Sequence, residues 1–146
     1  MLDLTSPRRV AEELLASSYS LTAVKYENVP LDTTELSEWI SVHMQPTDFE
    51  NLGHSDESMS FAELAMADSH VLANGNMVFN IFTAKDTGTE RSLVIAKTVA
   101  ALFSNKEIDG VPFGMPQLHA APNMESWFVQ VLLVPYTFVT GEQSLC

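Results

Sequence analysis

The segment from Ser126 to Val139 constrains the fold most. Trp127, Val129, Val131 and Leu133 alternate with Phe128, Gln130, Leu132 and Val134, so a strand here is apolar on both faces. That pattern belongs to a largely buried strand. Pro135 within it marks a bulge or a position facing an open edge. A second run has the same character: Met77, Phe79, Ile81 and Thr83 alternate with Val78, Asn80 and Phe82, which predicts a central strand. Just before it, Ala73-Asn74-Gly75-Asn76 carries an Asn-Gly pair, and positive φ at such a pair predicts a type I′ hairpin turn with strands on either side.

Two helices are expected. Ser6-Pro7 provides an N-cap and a first-turn proline, and Val10, Leu14 and Leu15 supply an apolar stripe, which predicts a helix over Pro7–Ser18. Thr87 and Glu90 have capping-box spacing ahead of Leu93, Ala96, Ala100 and Phe103 on one helical face. Ile95, Val99 and Leu102 widen that apolar surface, so this helix packs on a sheet and against something further. Shorter strands are predicted at Leu21–Tyr26, Trp39–Met44, Val111–Phe113 and Gln117–Ala121, the second of them ended by Gln45-Pro46. From Thr47 to Glu63 polar and acidic residues without periodicity predict a long loop or hairpin. The expectation is a single domain over residues 1–146, of α+β class, with a mixed, mainly antiparallel sheet packed by two helices.

Charge decides which partners fit. The chain has 7 basic and 19 acidic residues, a net charge of −12, and the imbalance is local. Between Tyr26 and Ala84 there is no Lys or Arg, but there are ten carboxylates: Glu27, Asp32, Glu35, Glu38, Asp48, Glu50, Asp56, Glu57, Glu63 and Asp68. Such a surface repels phosphates, which argues against a protein that grips nucleic acid. No apolar window approaches the roughly 18 residues of a membrane span, and Glu12 and Glu13 interrupt the stretch after Arg8-Arg9 that an export signal would need, so a soluble protein is expected. A lone Cys146 provides neither an intramolecular disulfide nor a thiolate metal site.

No catalytic constellation is expected. His43, His54, His70 and His119 are scattered, and none has the spacing that brings two onto one metal. Gly53-His54-Ser55-Asp56-Glu57-Ser58 collects hydrolase residue types, but adjacent residues seldom converge as nucleophile, base and orienting acid. The sequence has no nucleophile elbow, phosphate-binding loop or HExxH motif, and the acidic run lacks calcium-loop spacing. No metal or cofactor is therefore expected. A pocket gathering polar groups around His43, His70 or His119 would instead favour a small ligand-binding or hydrolytic domain. Trp39 and Trp127 read as core anchors, and Met59, Met66, Met77, Met115 and Met124 as core or edge residues.

The order of these pieces resembles the tail-terminator proteins of long-tailed bacteriophages. The resemblance spans nearly the whole chain. It rests on an N-terminal amphipathic helix, Val24-Lys25-Tyr26-Glu27-Asn28-Val29-Pro30, a strand ending in Met44-Gln45-Pro46, the Gly-Asn-Met-Val-Phe-Asn-Ile-Phe strand at 75–82, a helix ending in Ala-Ala-Leu-Phe at 100–103, and Trp-Phe-Val-Gln-Val-Leu-Leu-Val-Pro-Tyr at 127–136. The acidic stretch from Thr47 to Asp68 departs from the pattern. The resemblance implies a homohexameric ring in the virion neck, assembled in the host cytoplasm, without catalysis. The ring would cap the head-proximal end of the tail tube, stop its polymerisation and present a surface to a neck or connector protein. DNA would pass through without specific binding, and Asp48, Glu50, Asp56, Glu57 and Glu63 are the acids expected to face the lumen or the tube. The competing structural reading is another neck or head-completion subunit.

Overall fold

The computed structural model describes residues 6–51, 71–86, 88–122, 124 and 126–140. In chain order the elements are α1 (Ser6–Ser18), β1 (Ala23–Lys25), β2 (Glu38–Asn51), β3 (Val71–Ala84), α2 (Glu90–Phe103), β4 (Glu107–Ile108), β5 (Val111–Pro112), β6 (Gln117–Ala120) and β7 (Trp127–Thr140). Five strands form one sheet in the order β1-β2-β3-β7-β6, and β4 with β5 makes a separate two-stranded piece. Among the described strands only the β1–β2 pair is parallel. The fold is therefore α+β with a mixed, mainly antiparallel sheet, as expected, and β3 holds the central place that its two apolar faces require.

The two described helices pack on one face of the sheet. Val10, Ala11 and Leu15 of α1 and Ile95, Ala96, Val99 and Phe103 of α2 bury against Ile40 and Val42 of β2, Met77, Phe79 and Ile81 of β3, and Leu132, Val134 and Tyr136 of β7. Phe103 sits between Phe79 and Phe113, with ring centroids 5.4 and 5.1 Å away. The opposite face has a smaller apolar group. Trp39 stacks flat on Phe82 at 3.9 Å, Trp127 meets Trp39 edge-on at 6.0 Å, and Leu31 and Leu36 of the β1–β2 connection pack against them. Trp39 is buried in this group, and Trp127 packs against it half-buried. Trp39 Nε1 and Thr83 Oγ1 are buried without a hydrogen-bond partner among the described residues.

Three expectations are corrected. The Asn74-Gly75 pair is not a turn, because β3 runs straight through it, with Gly75 opposite Pro46 of β2 and Tyr136 of β7. The glycine serves close approach. A Cβ there would lie 2.6 Å from the Gln45 carbonyl oxygen and 2.6 Å from the Tyr136 hydroxyl. Asn74 is held by its neighbours: Thr47 Oγ1 donates to its carbonyl at 3.0 Å, and Thr137 Oγ1 donates to its Oδ1 at 3.1 Å. The tight turn instead lies at Asp109-Gly110, where φ of 49° and 85° fits a two-residue type I′ loop joining β4 to β5.

The second correction concerns β2, which does not stop at Pro46. A register shift between Pro46 and Asp48 absorbs the proline, and pairing resumes to Asn51 opposite Val71. Residues 47–51, read as the start of a long loop or a hairpin, are strand; the remainder of that stretch lies outside the described residues. The third concerns α2, whose N-cap is Thr89 without a side-chain cap bond, and not Thr87, itself outside the described residues. Its buried face is Ser92, Ile95, Ala96, Val99 and Phe103, so Leu93 points outward. A buried serine takes the place of leucine because its hydroxyl lies 2.6 Å from Gln130 Oε1 on β7 and 2.9 Å from the Thr89 carbonyl.

Pro135 lies past the end of β6, where β7 is flanked by Phe113 and Gly114 instead of a strand. Its carbonyl accepts from the Gly114 N–H at 2.8 Å, on the side away from β3. In an antiparallel strand a residue's N–H and C=O point the same way, so the missing proline N–H costs β3 no bond.

Candidate functional site

Three strands, β2, β3 and β7, each have fourteen residues and pair along their whole length. At about 3.3 Å per residue the ribbon is about 46 Å long, whereas the fourteen-residue α2 measures about 21 Å. Neither helix can cover more than about half of the ribbon. Beyond Gly75 and Tyr136 it continues as a three-stranded arm to the register pairs Asn51–Val71 and Val71–Thr140. Asp48 and Glu50 lie on this arm, in register with Asn74 and Leu72. The fold thus brings two of the five expected acids onto a paired strand, whereas Asp56, Glu57 and Glu63 lie outside the described residues.

A second surface lies where α2 passes beside the edge strand β6, against the middle of β7. Leu93, Lys97, Ala100, Met115, Leu118 and Leu132 line a groove of about 320 Å³. Leu93 is 47% exposed and Met115 61%, and every residue of β6 is exposed. Sequence reasoning placed Leu93 in the core and missed this groove. The clue was present in the excess apolar width of α2, but only the fold sets that surface beside β6.

The histidines do not converge. His43 lies in a shallow pocket with Lys25, Glu27, Trp39 and Ser41, and no hydrogen bond among the described residues joins it to Ser41 or Glu27. His119 is exposed on β6, its Nε2 at 3.4 Å from Gln117 Oε1. The order β2-β3-β7-β6 sets these two histidines three strand spacings apart, about 14 Å. His54 and His70 lie outside the described residues, as do Met59, Met66 and Cys146. Among the described residues no three His, Cys, Asp or Glu side chains form a group fit to hold a metal ion, and no helix is long and apolar enough to cross a membrane.

Two ion pairs form around α1 among the described residues. Arg8 lies 3.7 Å from Glu27, and Arg9 lies 3.7 Å from Glu13 one turn along the helix. Burial raises the Glu12 carboxyl above its ordinary range against the pull of Arg8, and burial with the Glu12 charge raises the Tyr26 phenol. Arg91 Nη2 and Nε grip the Glu38 carboxylate at 2.6–2.9 Å, tying the start of α2 to the start of β2. This two-point contact is the geometry in which an arginine fixes orientation as well as charge.

No family model matches the chain, and no curated protein matches it. A solved structure described without a function is similar over 94% of this chain and 92% of its own, with a TM-score of 0.58 and 11% sequence identity. That likeness concerns the fold.

Proposed function

We propose that the protein is a ring-forming structural subunit of a bacteriophage tail, of the tail-terminator type. It caps the head-proximal end of the tail tube, ends tube polymerisation and offers the neck a docking face. The observation that carries this reading is the arm: a three-stranded ribbon about twice as long as either helix reaches past the core and carries part of the base-free acidic stretch. The sequence resemblance, in element order and in the Tyr-Glu-Asn-Val-Pro and Val-Pro-Tyr segments, points the same way.

In this reading, carboxylates of the 48–63 stretch face the lumen or the tube and repel passing phosphates, so DNA slides without sticking. The test is tube assembly from purified tail-tube protein with and without this chain. The expected outcome is tubes halted at one end in proportion to added chain. Tube length independent of the chain would overturn the proposal, and binding to the portal side with no effect on tubes would move the protein to another neck position.

A further inference from the structure

We infer that copies of this chain join through the two opposite edges of the sheet: β6 of one copy pairs with β1 of the next, and α2 of the first packs beside α1 of the second. The inference rests on the self-assembly part of the reading above and not on the tail tube, and it makes no use of the 48–63 stretch.

The sheet is open on both sides. β1 and β6 end the order β1-β2-β3-β7-β6, four strand spacings apart, about 19 Å. An edge strand leaves backbone N–H and C=O groups without a ladder partner, and natural edges are shielded by Lys, Pro or a bulge. β6 has none of these within Gln117–Ala120, its register against β7 is unbroken, and all four residues are exposed. β1 matches it in length, three residues against four, and has only Lys25 at its end as a shield. Strand direction decides how a neighbour fits. β1 is parallel to β2, and the antiparallel steps from β2 to β3, β3 to β7 and β7 to β6 leave β6 antiparallel to β1. A rotation about an axis along the strands preserves direction, so β6 meets the next copy's β1 antiparallel and every helix stays on the same face. The contact is heterologous, the kind that gives a ring when the rotation closes and a filament when it does not.

The flanks of the two edges are complementary. Beside β6, Lys97 of α2 stands among the exposed apolar side chains Leu93, Met115 and Leu118. From Arg91 through Lys106 there are three cations and no carboxylate, and from Gly110 through Met124 there is no Asp, Glu, Lys or Arg. In a chain of net charge −12 this is a flank that a second acidic copy can approach with little repulsion. Lys97 is exposed and makes no ion pair with any described residue. Beside β1, the outer side of α1 and Tyr26 enclose a groove of about 520 Å³ that holds Arg8, Arg9, Glu12 and Glu13. The two arginines lie against Glu27 and Glu13, which leaves Glu12 without an ion pair among the described residues. Burial already disfavours the Glu12 charge, and a lysine brought by a neighbour offsets that cost. An unpaired cation thus flanks one edge and an unpaired carboxylate the other, with β2, β3 and β7 between them in any one copy. Two β6 edges meeting about a two-fold axis would bring the Lys97 flanks together and leave Glu12 unpaired.

The test uses the full chain with Cys146→Ser, in two singly thiolated forms, Lys97→Cys and Glu12→Cys, under mild oxidation. The expected result is a disulfide-linked dimer from the mixture and none from either form alone. In sedimentation velocity, Lys97→Glu and Glu12→Lys are each expected to weaken self-association at least about tenfold, and mixing the two to recover it. Hydrogen exchange on the assembled wild type should show the amides of residues 117–120 and 23–25 gaining protection together. Circular dichroism and thermal melting check that each variant is folded. Absence of the mixed dimer, dimers from Lys97→Cys alone, unchanged exchange in both strands on assembly, or a wild-type chain that stays monomeric at every concentration would overturn the inference. Rings that cap tubes while both charge reversals assemble normally would sink this interface and leave the terminator reading standing. The mixed cross-link without any effect on tubes would do the reverse.

Discussion

Gly75 has one role at the residue scale, which is to leave room for the Tyr136 ring as it crosses from β7. Gly75→Ala would place a methyl 2.6 Å from the Gln45 carbonyl oxygen and 2.8 Å from Tyr136 Cζ. Backbone is one of the clashing partners, so relief by side-chain rotation is incomplete, and the expected loss is about 2–3 kcal/mol in urea unfolding. A variant as stable as the wild type would show that the sheet gives way here. The tyrosines make a prediction for alkaline pH. Burial pushes the Tyr136 phenol up from its ordinary value of 10.0 to about 12 and raises Tyr19 and Tyr26 as well, so the neutral forms are favoured in the fold. Between about 10 and about 12 the unfolded chain holds fewer protons than the folded one, and stability falls as pH rises through that window. Tyrosinate absorbance should lag in the folded protein and jump with the loss of circular dichroism; three phenols titrating together near the ordinary value in intact protein would contradict this.

At the scale of elements, α2 depends on its C-terminal end. Phe103 is fully buried between Phe79 and Phe113. Phe103→Ala should cost about 3–5 kcal/mol, read as a lower denaturant midpoint, because a ring-sized cavity opens where helix, sheet and the β5 connection meet. A loss under about 1 kcal/mol would mean that α2 is held elsewhere. Both helices and the two long apolar strands were legible in the sequence because repeated burial leaves a periodic trace. Features decided by a single contact were not. Asn74-Gly75 has turn chemistry, but the Tyr136 ring and the Thr47 and Thr137 hydroxyls hold it extended. Pro46 looked like a stop until a bulge in β2 absorbed it. Leu93 was read on the apolar face, but Gln130 from β7 gives the Ser92 hydroxyl a buried partner and Leu93 lies outward. Of the candidate site, the acidity was legible, while the arm holding Asp48 and Glu50 depends on long-range pairing with β3, which composition does not encode. The groove was legible only in part, since its walls come from separate segments.

For the whole molecule, among the described residues, the helices lie against one face of the sheet, the ribbon of β2, β3 and β7 runs on to Asn51, Val71 and Thr140, and a cation-bearing apolar groove lies between α2 and β6 beside the middle of β7. In the proposed ring, strong net charge of one sign would keep free subunits apart until a partner or concentration favours assembly. The central claim is that this chain assembles into a ring on a tail tube. Electron microscopy of purified protein mixed with tail tubes, scored at the tube ends, tests it most directly. The account predicts a ring of subunits on one end of each tube, and bare ends with the chain left as free monomer would contradict it.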